Sequence, residues 1–339
     1  MVAFSNNKSV LVIHDGRKGH LHPSLAVAEI IQEKYQCVLQ NYPQPYHLNK
    51  KLISILKKVS HFPYVFKLFG QLIFKAEPEN MKNVEVIICS GMPNLIYAAY
   101  LAYKYNILLL YVGNLRAFND QFIDLSITAL PQNVNCKQII LNTPPVSSKF
   151  SAIIPQQNHH AILLLGGSTK EYPFSKQQLI EIITNFSHFV QKQKLKGNII
   201  FSRRTPELNL DALSFISTQN INLIDQQQNI EVCKQMTQSK FIFVTEDSIT
   251  MLAEAIHTGA IVTSICLDES KIPDLIAKYL DKSYIQRKSI QHLEQIIERP
   301  SAFKRIEFTQ PLIQQLDQFY HHGHFKQFKQ SSKKRRVYA

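Results

Sequence analysis

The sequence predicts an α/β fold of two Rossmann-like, doubly wound domains that face each other across a cleft. Short, continuous apolar runs alternate with amphipathic stretches of helical length, which is typical of parallel strands covered on both faces. The length of 339 residues is enough for about two domains. Each half opens with an apolar run that leads into a glycine-bearing loop and a helix, at Gly16–Gly19 and at Gly166–Gly167.

The predicted strands are runs rich in leucine and β-branched residues. They are Val10–Ile13, Val84–Cys89, Ile107–Val112, Leu125–Ala129, Gln138–Leu141, Ala161–Leu165, Gly197–Phe201, Asn222–Ile224, Phe241–Val244 and Ala260–Ile265. The helices between them include Ser24–Lys34, Pro93–Lys104, Ser175–Lys192 and Ile249–His257. The polar stretch Pro144–His160 has the composition of a linker. We therefore expect domains over residues 1–150 and 158–300, a helix over 301–320 and a flexible basic tail over 321–339.

Composition excludes several classes of protein. A hydrophobic content of 45% with only 10 glycines is that of an ordinary globular chain and excludes collagen-like and disordered proteins. The five cysteines are widely spaced and form no CxxC pair, which argues against a disulfide framework or a zinc site. We find no secretory signal and no apolar run of the roughly 20 residues that a spanning helix needs, and therefore expect a cytoplasmic protein.

The positive charge is concentrated in two segments. The chain has 38 Lys and Arg against 25 Asp and Glu, a net charge of +13. The stretch between Glu33 and Glu77 contains seven lysines and no acid, and the tail contains four lysines, two arginines and no acid. The tail suits contact with a phosphate-rich surface, and a solvated terminus with no partner is the alternative.

The insert over residues 47–75 combines lysines with aliphatic and aromatic side chains. Leu52, Leu56 and Val59 line one helical face, and Phe66, Phe69 and Ile73 repeat this pattern after a proline. We predict that the insert lies on an anionic membrane surface. Core-facing helices with a solvated basic face are the second interpretation, and nucleic acid is a distant third because no binding motif for it is present. The membrane-facing lysines are predicted to be Lys50, Lys51, Lys57, Lys58 and Lys67.

The first loop of interest runs from His14 to Ser24, at the carboxyl end of a predicted strand, where open α/β sheets bind ligands. Asp15 and His20 are both candidates for a proton acceptor. Gly16 and Gly19 allow the backbone to approach a ligand, and Arg17 and Lys18 can neutralise phosphate. A polar turn without a ligand is the alternative. The spacing is not that of a dinucleotide fingerprint.

Three further motifs follow strands in the second half. Gly166, Gly167, Ser168 and Thr169 form a loop suited to a diphosphate, although a tight turn explains it about as well. Arg203 and Arg204 are suited to phosphate or base contacts. The stretch from Thr245 to Glu254 has the composition of a helix start, with Thr245 or Ser248 as the cap and acids in the first turn. All of these fall where a cleft ligand would bind.

The four motifs together resemble GT-B glycosyltransferases, among them the enzyme that adds N-acetylglucosamine to the peptidoglycan lipid precursor. They are more similar still to the ELM-type family, named after a plant mitochondrial fission protein, whose bacterial members are predicted glycosyltransferases. The shared patterns are Asp-Gly-x-x-Gly-His, Gly-Gly-Ser-x-x-Tyr, Ser-Arg-Arg-Thr-Pro and Thr-x-Asp-Ser-x-x-Met-x-x-Glu-Ala. They stand here at Asp15–His20, Gly166–Tyr172, Ser202–Pro206 and Thr245–Ala255.

This resemblance implies a nucleotide-sugar donor in the C-terminal domain and an acceptor in the N-terminal domain. Gly166, Gly167, Ser168 and Thr169 would approach the diphosphate, Arg203 and Arg204 the phosphates or base, and Glu254 the ribose. Thr245, Asp247, Ser248 and Met251 would line the pocket. Asp15 or His20 would act as base, with Gly16, Lys18 and Gly19 on the acceptor side. GT-B enzymes generally need no bound metal, so neither a cofactor nor a metal is expected.

The predicted function is a metal-independent, inverting glycosyltransferase that extends a lipid-linked glycan acceptor in lipopolysaccharide or lipooligosaccharide core synthesis. It would act at the inner face of the cytoplasmic membrane and bind no nucleic acid. Two alternatives remain open. A nucleotide-sugar 2-epimerase of the same fold would convert the donor without an acceptor, and a membrane-associated scaffold would retain the fold without catalysis.

Overall fold

The computed structural model describes residues 8–151, 159–208, 220–224, 231–293, 295 and 309–321. These residues form two compact units. Unit 1 holds the described residues of 1–147 together with the C-terminal helix, and unit 2 holds those of 148–306. Each unit is built on one six-stranded parallel sheet, which confirms the predicted class of two Rossmann-like α/β domains.

The described residues form twelve strands and nine α-helices. The strands are β1 (Ser9–His14), β2 (Val38–Pro43), β3 (Val84–Ser90), β4 (Leu108–Val112), β5 (Leu125–Thr128), β6 (Lys137–Ile140), β7 (His160–Leu165), β8 (Lys196–Phe201), β9 (Ile221–Ile224), β10 (Phe241–Thr245), β11 (Ile261–Cys266) and β12 (Gln286–Ser289). The helices are α1 (Lys18–Tyr35), α2 (Lys50–Val59), α3 (Pro63–Ile73), α4 (Met92–Tyr105), α5 (Lys176–Lys192), α6 (Val232–Thr237), α7 (Ile249–His257), α8 (Asp274–Asp281) and α9 (Thr309–His321).

The order of strands locates the switch point of each sheet, which is the pair of neighbouring strands from which the chain continues outward in opposite directions. In unit 1 the order is β2-β1-β3-β4-β5-β6, and in unit 2 it is β12-β11-β10-β7-β8-β9. The second order is that of a dinucleotide-binding Rossmann sheet, with β7 and β10 as its two central strands. Successive strands run outward in opposite directions from β1 and β3 in unit 1, and from β7 and β10 in unit 2. Ligands of open parallel sheets bind beyond the carboxyl ends of such strand pairs.

The central strands are buried because helices cover both faces of each sheet. All residues of β1 are buried, as are all residues of β4 and β10. Their continuous apolar sequences made them recognisable. The edge strands β2 and β12 were missed, because β2 alternates between exposed and half-buried residues and β12 has the half-buried sequence Gln-Arg-Lys-Ser.

One predicted helix boundary differs from the structure by several residues. Helix α1 begins at Lys18 rather than Ser24 and continues through Pro23, so the first glycine loop is only three residues long. Pro23 is the sixth residue of this helix and lies beyond its first turn, so it lacks the N–H that would otherwise bond to the carbonyl of Gly19. The C-terminal helix is described over Thr309–His321, and its Asp317 accepts a hydrogen bond from Tyr35 of α1 at 3.0 Å. Residues 301–308, most of the predicted tail and the centre of the predicted linker lie outside the described residues.

Candidate functional site

Three of the four motifs converge at the switch point of unit 2. The backbone N–H of Gly166, after β7, donates to Thr245 Oγ1, at the end of β10, over 2.8 Å. Thr205 Oγ1, after β8, donates to the carbonyls of Leu165 and Gly166 at 2.8 and 2.7 Å. The loops that follow three neighbouring strands are thus joined by hydrogen bonds. The remaining motif, Asp15–His20, lies in unit 1.

The two glycines of the unit 2 loop are required by their neighbours. A Cβ on Gly166 would lie 1.9 Å from Asp247 Oδ1, and a Cβ on Gly167 would lie 1.9 Å from the carbonyl oxygen of Arg204. No side chain fits at either distance. The glycine pair therefore allows the Asp247 carboxylate and the arginine loop to reach the backbone after β7.

Asp247 acts as the central acceptor of this cluster. Its side chain is fully buried and accepts hydrogen bonds from Thr245 Oγ1 at 2.7 Å, Arg204 Nη2 at 2.6 Å and the Gly167 N–H at 3.2 Å. Burial raises the pKa of the Asp247 carboxyl, and these three donors partly offset the rise. The N–H groups of Gly166 and Gly167 already donate within the unit, so a diphosphate that used them would replace Thr245 and Asp247 as acceptors.

The remaining predicted donor-site residues occupy varied surroundings. Arg203, Arg204 and Ser168 are exposed, whereas Thr169, Ser248 and Met251 are half-buried. Glu254 is buried within α7. The predicted cap is wrong, because Ser248 occupies the N-cap position without a side-chain hydrogen bond and Thr245 Oγ1 instead accepts from the Gly166 N–H. The two acids, Glu246 and Asp247, precede the helix instead of lying in its first turn.

A buried ion pair next to this cluster was missed from the sequence. Glu246 is fully buried and accepts hydrogen bonds from Arg287 Nε at 2.6 Å and Nη2 at 3.1 Å. The same guanidinium donates to the carbonyls of Asp268, Glu269 and Lys271 in the loop after β11. Arg287 therefore links β12 to the loops that follow β10 and β11. It lies on the unpredicted edge strand β12, and no local sequence signal marks it.

In unit 1, Asp15 and His20 form a hydrogen-bonded pair at the switch point. His20 Nδ1 lies 3.0 Å from both carboxylate oxygens of Asp15. Burial raises the pKa of Asp15, but the hydrogen bonds and charges of His20 and Arg17 outweigh it and lower that pKa to about 2. An ionised carboxylate only accepts hydrogen bonds, so Nδ1 carries the proton and Nε2 of a neutral ring is left as the basic nitrogen.

The imidazole of His20 is also held against the loop after β3. A Cβ on Gly91 would lie 2.5 Å from the His20 ring, so only glycine permits this contact. The first turn of α1 carries His20, and the turn before it carries Asp15. The end of β1 positions both residues, so that a hydrogen bond joins two side chains that are five residues apart in sequence.

A second polar group at the same switch point was not predicted. Gln44 follows β2, and its Nε2 donates to Asn94 Oδ1 at 2.9 Å. Asn94 Nδ2 in turn donates to the Ser90 carbonyl at the end of β3. Gln44 Oε1 is buried, and no described residue donates to it. A buried acceptor of this kind is suited to a ligand hydroxyl or a water molecule.

The five predicted membrane lysines lie on two adjacent helices of unit 1, four on α2 and Lys67 on α3. Leu56 and Phe66 are fully buried, and Leu52, Val59 and Ile73 pack against the same core. The predicted apolar stripes therefore face the core, and Phe69 is the exception, being exposed. No helix among the described residues is long and apolar enough to cross a membrane, and those residues contain no group of three metal-ligating side chains.

Two Rossmann-like sheets in one chain, each with polar loops at its switch point, define a protein of the GT-B class. The family described as Mitochondrial fission ELM1 matches residues 134–299. The chain therefore has a GT-B fold and is similar to the mitochondrial fission ELM1 family over these residues, which confirms the predicted resemblance. An uncharacterized protein of Rickettsia prowazekii (strain Madrid E) is 23% identical over 290 residues, which cover 74% of this chain and 81% of that protein.

Solved structures support the same fold. A UDP-N-acetylglucosamine 2-epimerase matches with a TM-score of 0.57 at 9% identity, over 94% of this chain and 97% of the other. The Methanocaldococcus jannaschii UDP-GlcNAc 2-epimerase in complex with UDP-GlcNAc and UDP matches with a TM-score of 0.51 at 11% identity, over 92% and 99%. Arabidopsis thaliana UGT89C1 complexed with UDP-L-rhamnose matches with a TM-score of 0.51 at 9% identity, over 91% and 93%.

Proposed function

We propose that this protein transfers a sugar from a nucleotide-sugar donor to a hydroxyl of a lipid-linked acceptor. The observation that carries the proposal is the convergence of three motifs at the Rossmann switch point of unit 2, where Gly166, Thr205 and Thr245 are joined by hydrogen bonds. Open sheets of this order bind nucleotides at that point. Two of the structural neighbours are complexes with UDP-sugars, which supports a donor of this class.

The proposed donor half uses exposed cations and a buried acid. Arg203 and Arg204 are exposed and suited to the phosphates, and guanidinium groups bind such oxygens in pairs. Ser168 and Thr169 would add hydroxyl donors, and Glu254 would accept from the ribose. Ser248 and Met251, at the start of α7, would line the pocket with Thr245 and Asp247.

The proposed chemistry is a direct displacement at the anomeric carbon. His20 Nε2 takes the proton of the acceptor hydroxyl as the new carbon–oxygen bond forms and the bond to the diphosphate breaks. The nucleoside diphosphate leaves with its electron pair, and the arginines stabilise the added charge. A carboxyl with a pKa of about 2 is too weak a base to take this proton. Asp15 therefore serves to hold the His20 ring in the required tautomer. The displacement inverts the anomeric centre and, as proposed, uses no metal.

We place the acceptor on a lipid, as in lipopolysaccharide or lipooligosaccharide core synthesis, and the enzyme at the inner face of the cytoplasmic membrane. The support is the run of seven lysines without an acid between Glu33 and Glu77. Such a segment is attracted to anionic headgroups. Gly16, Lys18 and Gly19 lie beside the Asp15–His20 pair and would contact the acceptor.

The first test is a thermal-shift screen with UDP-, GDP-, CMP- and dTDP-sugars. We expect one nucleotide class to raise the melting temperature of the full chain, because a ligand that binds only the folded state stabilises it. The Arg203→Gln/Arg204→Gln variant should lose this rise, and Lys192→Gln/Lys194→Gln, which removes exposed charges on unit 2, should retain it. A protein that responds to no nucleotide-sugar would be a scaffold that retains the fold without catalysis.

The second test separates transfer from epimerisation, because two of the structural neighbours are 2-epimerases. NMR of a reaction that contains only the donor should show unchanged nucleotide-sugar, because the proposed transfer needs an acceptor hydroxyl. Accumulation of a C2 epimer would identify the protein as an epimerase instead. Addition of a lipid-linked glycan should then release nucleoside diphosphate.

A further inference from the structure

The exposed apolar side chains of this protein are concentrated in one place. Eleven large hydrophobic residues are exposed among the described residues, and seven of them lie between residues 55 and 72 on α2, α3 and the turn between them. These seven are Ile55, Phe62, Tyr64, Val65, Leu68, Phe69 and Leu72. Single exposed hydrophobic residues are ordinary, but a contiguous set marks an interaction surface. We call these seven residues the apolar ridge.

Helix α3 is apolar on two opposite faces. Phe66 and Gly70 are buried, and Ile73 packs against the core of unit 1. Tyr64, Leu68 and Leu72 repeat every four residues on the other face and are 65%, 44% and 73% exposed. A helix at the surface of a soluble protein normally presents polar residues there. The core therefore accounts for one apolar face of α3 and leaves the other without a partner among the described residues of unit 1.

The inner face holds α3 in a fixed orientation. Gly70 lies so close to Tyr100 of α4 that a Cβ would come within 2.2 Å of the tyrosine ring. The Phe66 ring lies 4.9 Å from that of Phe122, between centroids. The turn before α3 is also anchored, because the Ser60 carbonyl accepts from Asn119 Nδ2 at 2.8 Å. The ridge cannot turn inward without breaking these contacts.

The charged residues on α2, α3 and the rest of the segment between Glu33 and Glu77 all have the same sign. Lys50, Lys51 and Lys58 are exposed on α2, Lys67 is half-buried on α3 and Lys75 is exposed just beyond it. No acidic residue occurs between Glu33 and Glu77. Two copies of this surface would therefore bring lysines against lysines, which disfavours a symmetric dimer. A surface that offers both negative charge and hydrocarbon is complementary to it.

We infer that the apolar ridge inserts into the headgroup region of a bilayer that contains anionic lipid, with the lysines of α2 and α3 on the headgroups. Helices with this composition lie in the membrane interface with their apolar face buried by about 5–10 Å. The inference assigns insertion to Tyr64, Leu68 and Leu72, a face different from the stripe of Leu52, Leu56 and Val59. It depends on no step of sugar transfer.

The absence of tryptophan from the chain provides a direct test. The Tyr64→Trp variant carries a single fluorophore on the ridge, and Ile140→Trp carries one at an exposed position of the edge strand β6 in unit 1. With phosphatidylcholine vesicles that contain a quarter phosphatidylglycerol, emission from the Tyr64→Trp variant should shift to the blue and be quenched by brominated acyl chains. The Ile140→Trp variant should show neither effect. Unchanged emission from both variants in the presence of these vesicles would overturn the inference.

Sedimentation with the same vesicles separates the apolar and charged contributions. Leu68→Gln/Leu72→Gln should reduce binding at least tenfold, and Lys50→Gln/Lys51→Gln/Lys58→Gln should reduce it by about fivefold per lysine, since each contributes about 1 kcal/mol near an anionic surface. Lys192→Gln/Lys194→Gln should bind as the wild type does. Circular dichroism and the melting temperature verify that each variant is folded, which is expected because every replaced side chain is exposed.

Two results would contradict membrane insertion. Wild-type vesicle binding by the Leu68→Gln/Leu72→Gln variant would show that the ridge does not insert. Self-association in lipid-free solution that this variant abolishes, without vesicle binding by the wild type, would show that the ridge is instead an interface between copies of this chain. No substrate is present in these assays, so their failure leaves the proposed transfer reaction standing.

Discussion

The glycine loops after β1 and β7 follow similar buried strands but are built for different purposes. Gly16 adopts φ +76°, and among the described residues other than its chain neighbours no atom lies within 4 Å of the position where a Cβ would be. Gly166 has no such backbone requirement, yet a Cβ there would collide with the Asp247 carboxylate. The unit 1 loop requires glycine for the backbone conformation of its turn, and a Cβ there would meet no described side chain. The unit 2 loop requires glycine because the Asp247 side chain already occupies the space that a Cβ would fill.

This difference indicates that the acids at the two switch points have different roles in the proposed reaction. In unit 1 the acid, Asp15, is satisfied by His20, and the pair presents the second ring nitrogen. In unit 2 the acid, Asp247, is fully buried and holds Arg204 by its guanidinium. One carboxylate orients a base and the other orients a cation. Both are positioning residues in the proposed reaction, and the following changes test this comparison, beginning with the largest expected effect.

Removal of the proposed base should have the largest effect. His20→Ala should lower kcat by about a hundredfold to ten-thousandfold, the usual contribution of general base catalysis, and leave the donor Kd unchanged. The exposed His47 provides the control, and His47→Asn should be as active as the wild type. A larger loss of kcat in Asp15→Asn than in His20→Ala would reverse the assignment of base and positioning residue.

The next largest effect is expected from replacing the glycine of each loop with alanine, which should change the free energy of unfolding differently in the two loops. Gly166→Ala should destabilise unit 2 by about 1–3 kcal/mol, because the new Cβ displaces the buried carboxylate. Addition of Asp247→Ala should relieve part of this cost, which denaturant unfolding of the single and double variants measures as a coupling energy. Gly16→Ala should cost about 1 kcal/mol through backbone strain alone and show no coupling to Asp247. Equal coupling at both glycines would remove the proposed difference.

Neutralising the unit 2 acid should have a smaller effect. Asp247→Asn retains the size of the side chain but loses the charge that holds Arg204. We expect the donor Kd, measured by calorimetry, to rise about tenfold, equivalent to about 1.4 kcal/mol. Asp268→Asn, at an exposed acid of the same unit, serves as the control. Tighter donor binding by Asp247→Asn would mean that the carboxylate repels the diphosphate instead of positioning its arginine.

The smallest effect concerns the stability of unit 1 in acid. The folded-state pKa of Asp15 lies at about 2, below its ordinary value of 3.8. The ionised carboxylate therefore stabilises the folded state above about pH 4, and this contribution disappears as the pH falls towards 2. The stability difference between wild type and Asp15→Asn should shrink by about 1 kcal/mol over that range, after allowance for solvent screening. A difference independent of pH would show that Asp15 is not held ionised by His20.

Much of the fold was predictable because burial leaves a local record in the sequence. The central strands are continuous apolar runs, and α7 was predicted with its observed bounds, Ile249–His257. The edge strands β2 and β12 have no such apolar run, since all of their residues are exposed or half-buried. Helix α1 was started too late because its first turn is made of Lys, Gly and His, a composition that resembles a loop.

The candidate site was predictable only in part, for the same reason. The motifs named Gly166, Arg204, Thr245 and Asp247, and strand ends in a parallel sheet meet by topology. Arg287 and Gln44 were missed because Arg287 lies on β12 and Gln44 follows β2, the two strands that were not predicted, so nothing marked either residue as lying at a strand end.

The sequence by itself determined the parallel sheets, the positions of the polar loops at strand ends and the concentration of lysines before Glu77. These follow from patterns of neighbouring residues, which the chain carries before it folds. Only the tertiary structure decided that Asp247 fills the glycine loop of unit 2, that Asp15 is bonded to His20, and which face of α3 is left exposed. Such outcomes depend on which side chains meet across strands and helices, and contact between distant residues leaves no local pattern to read.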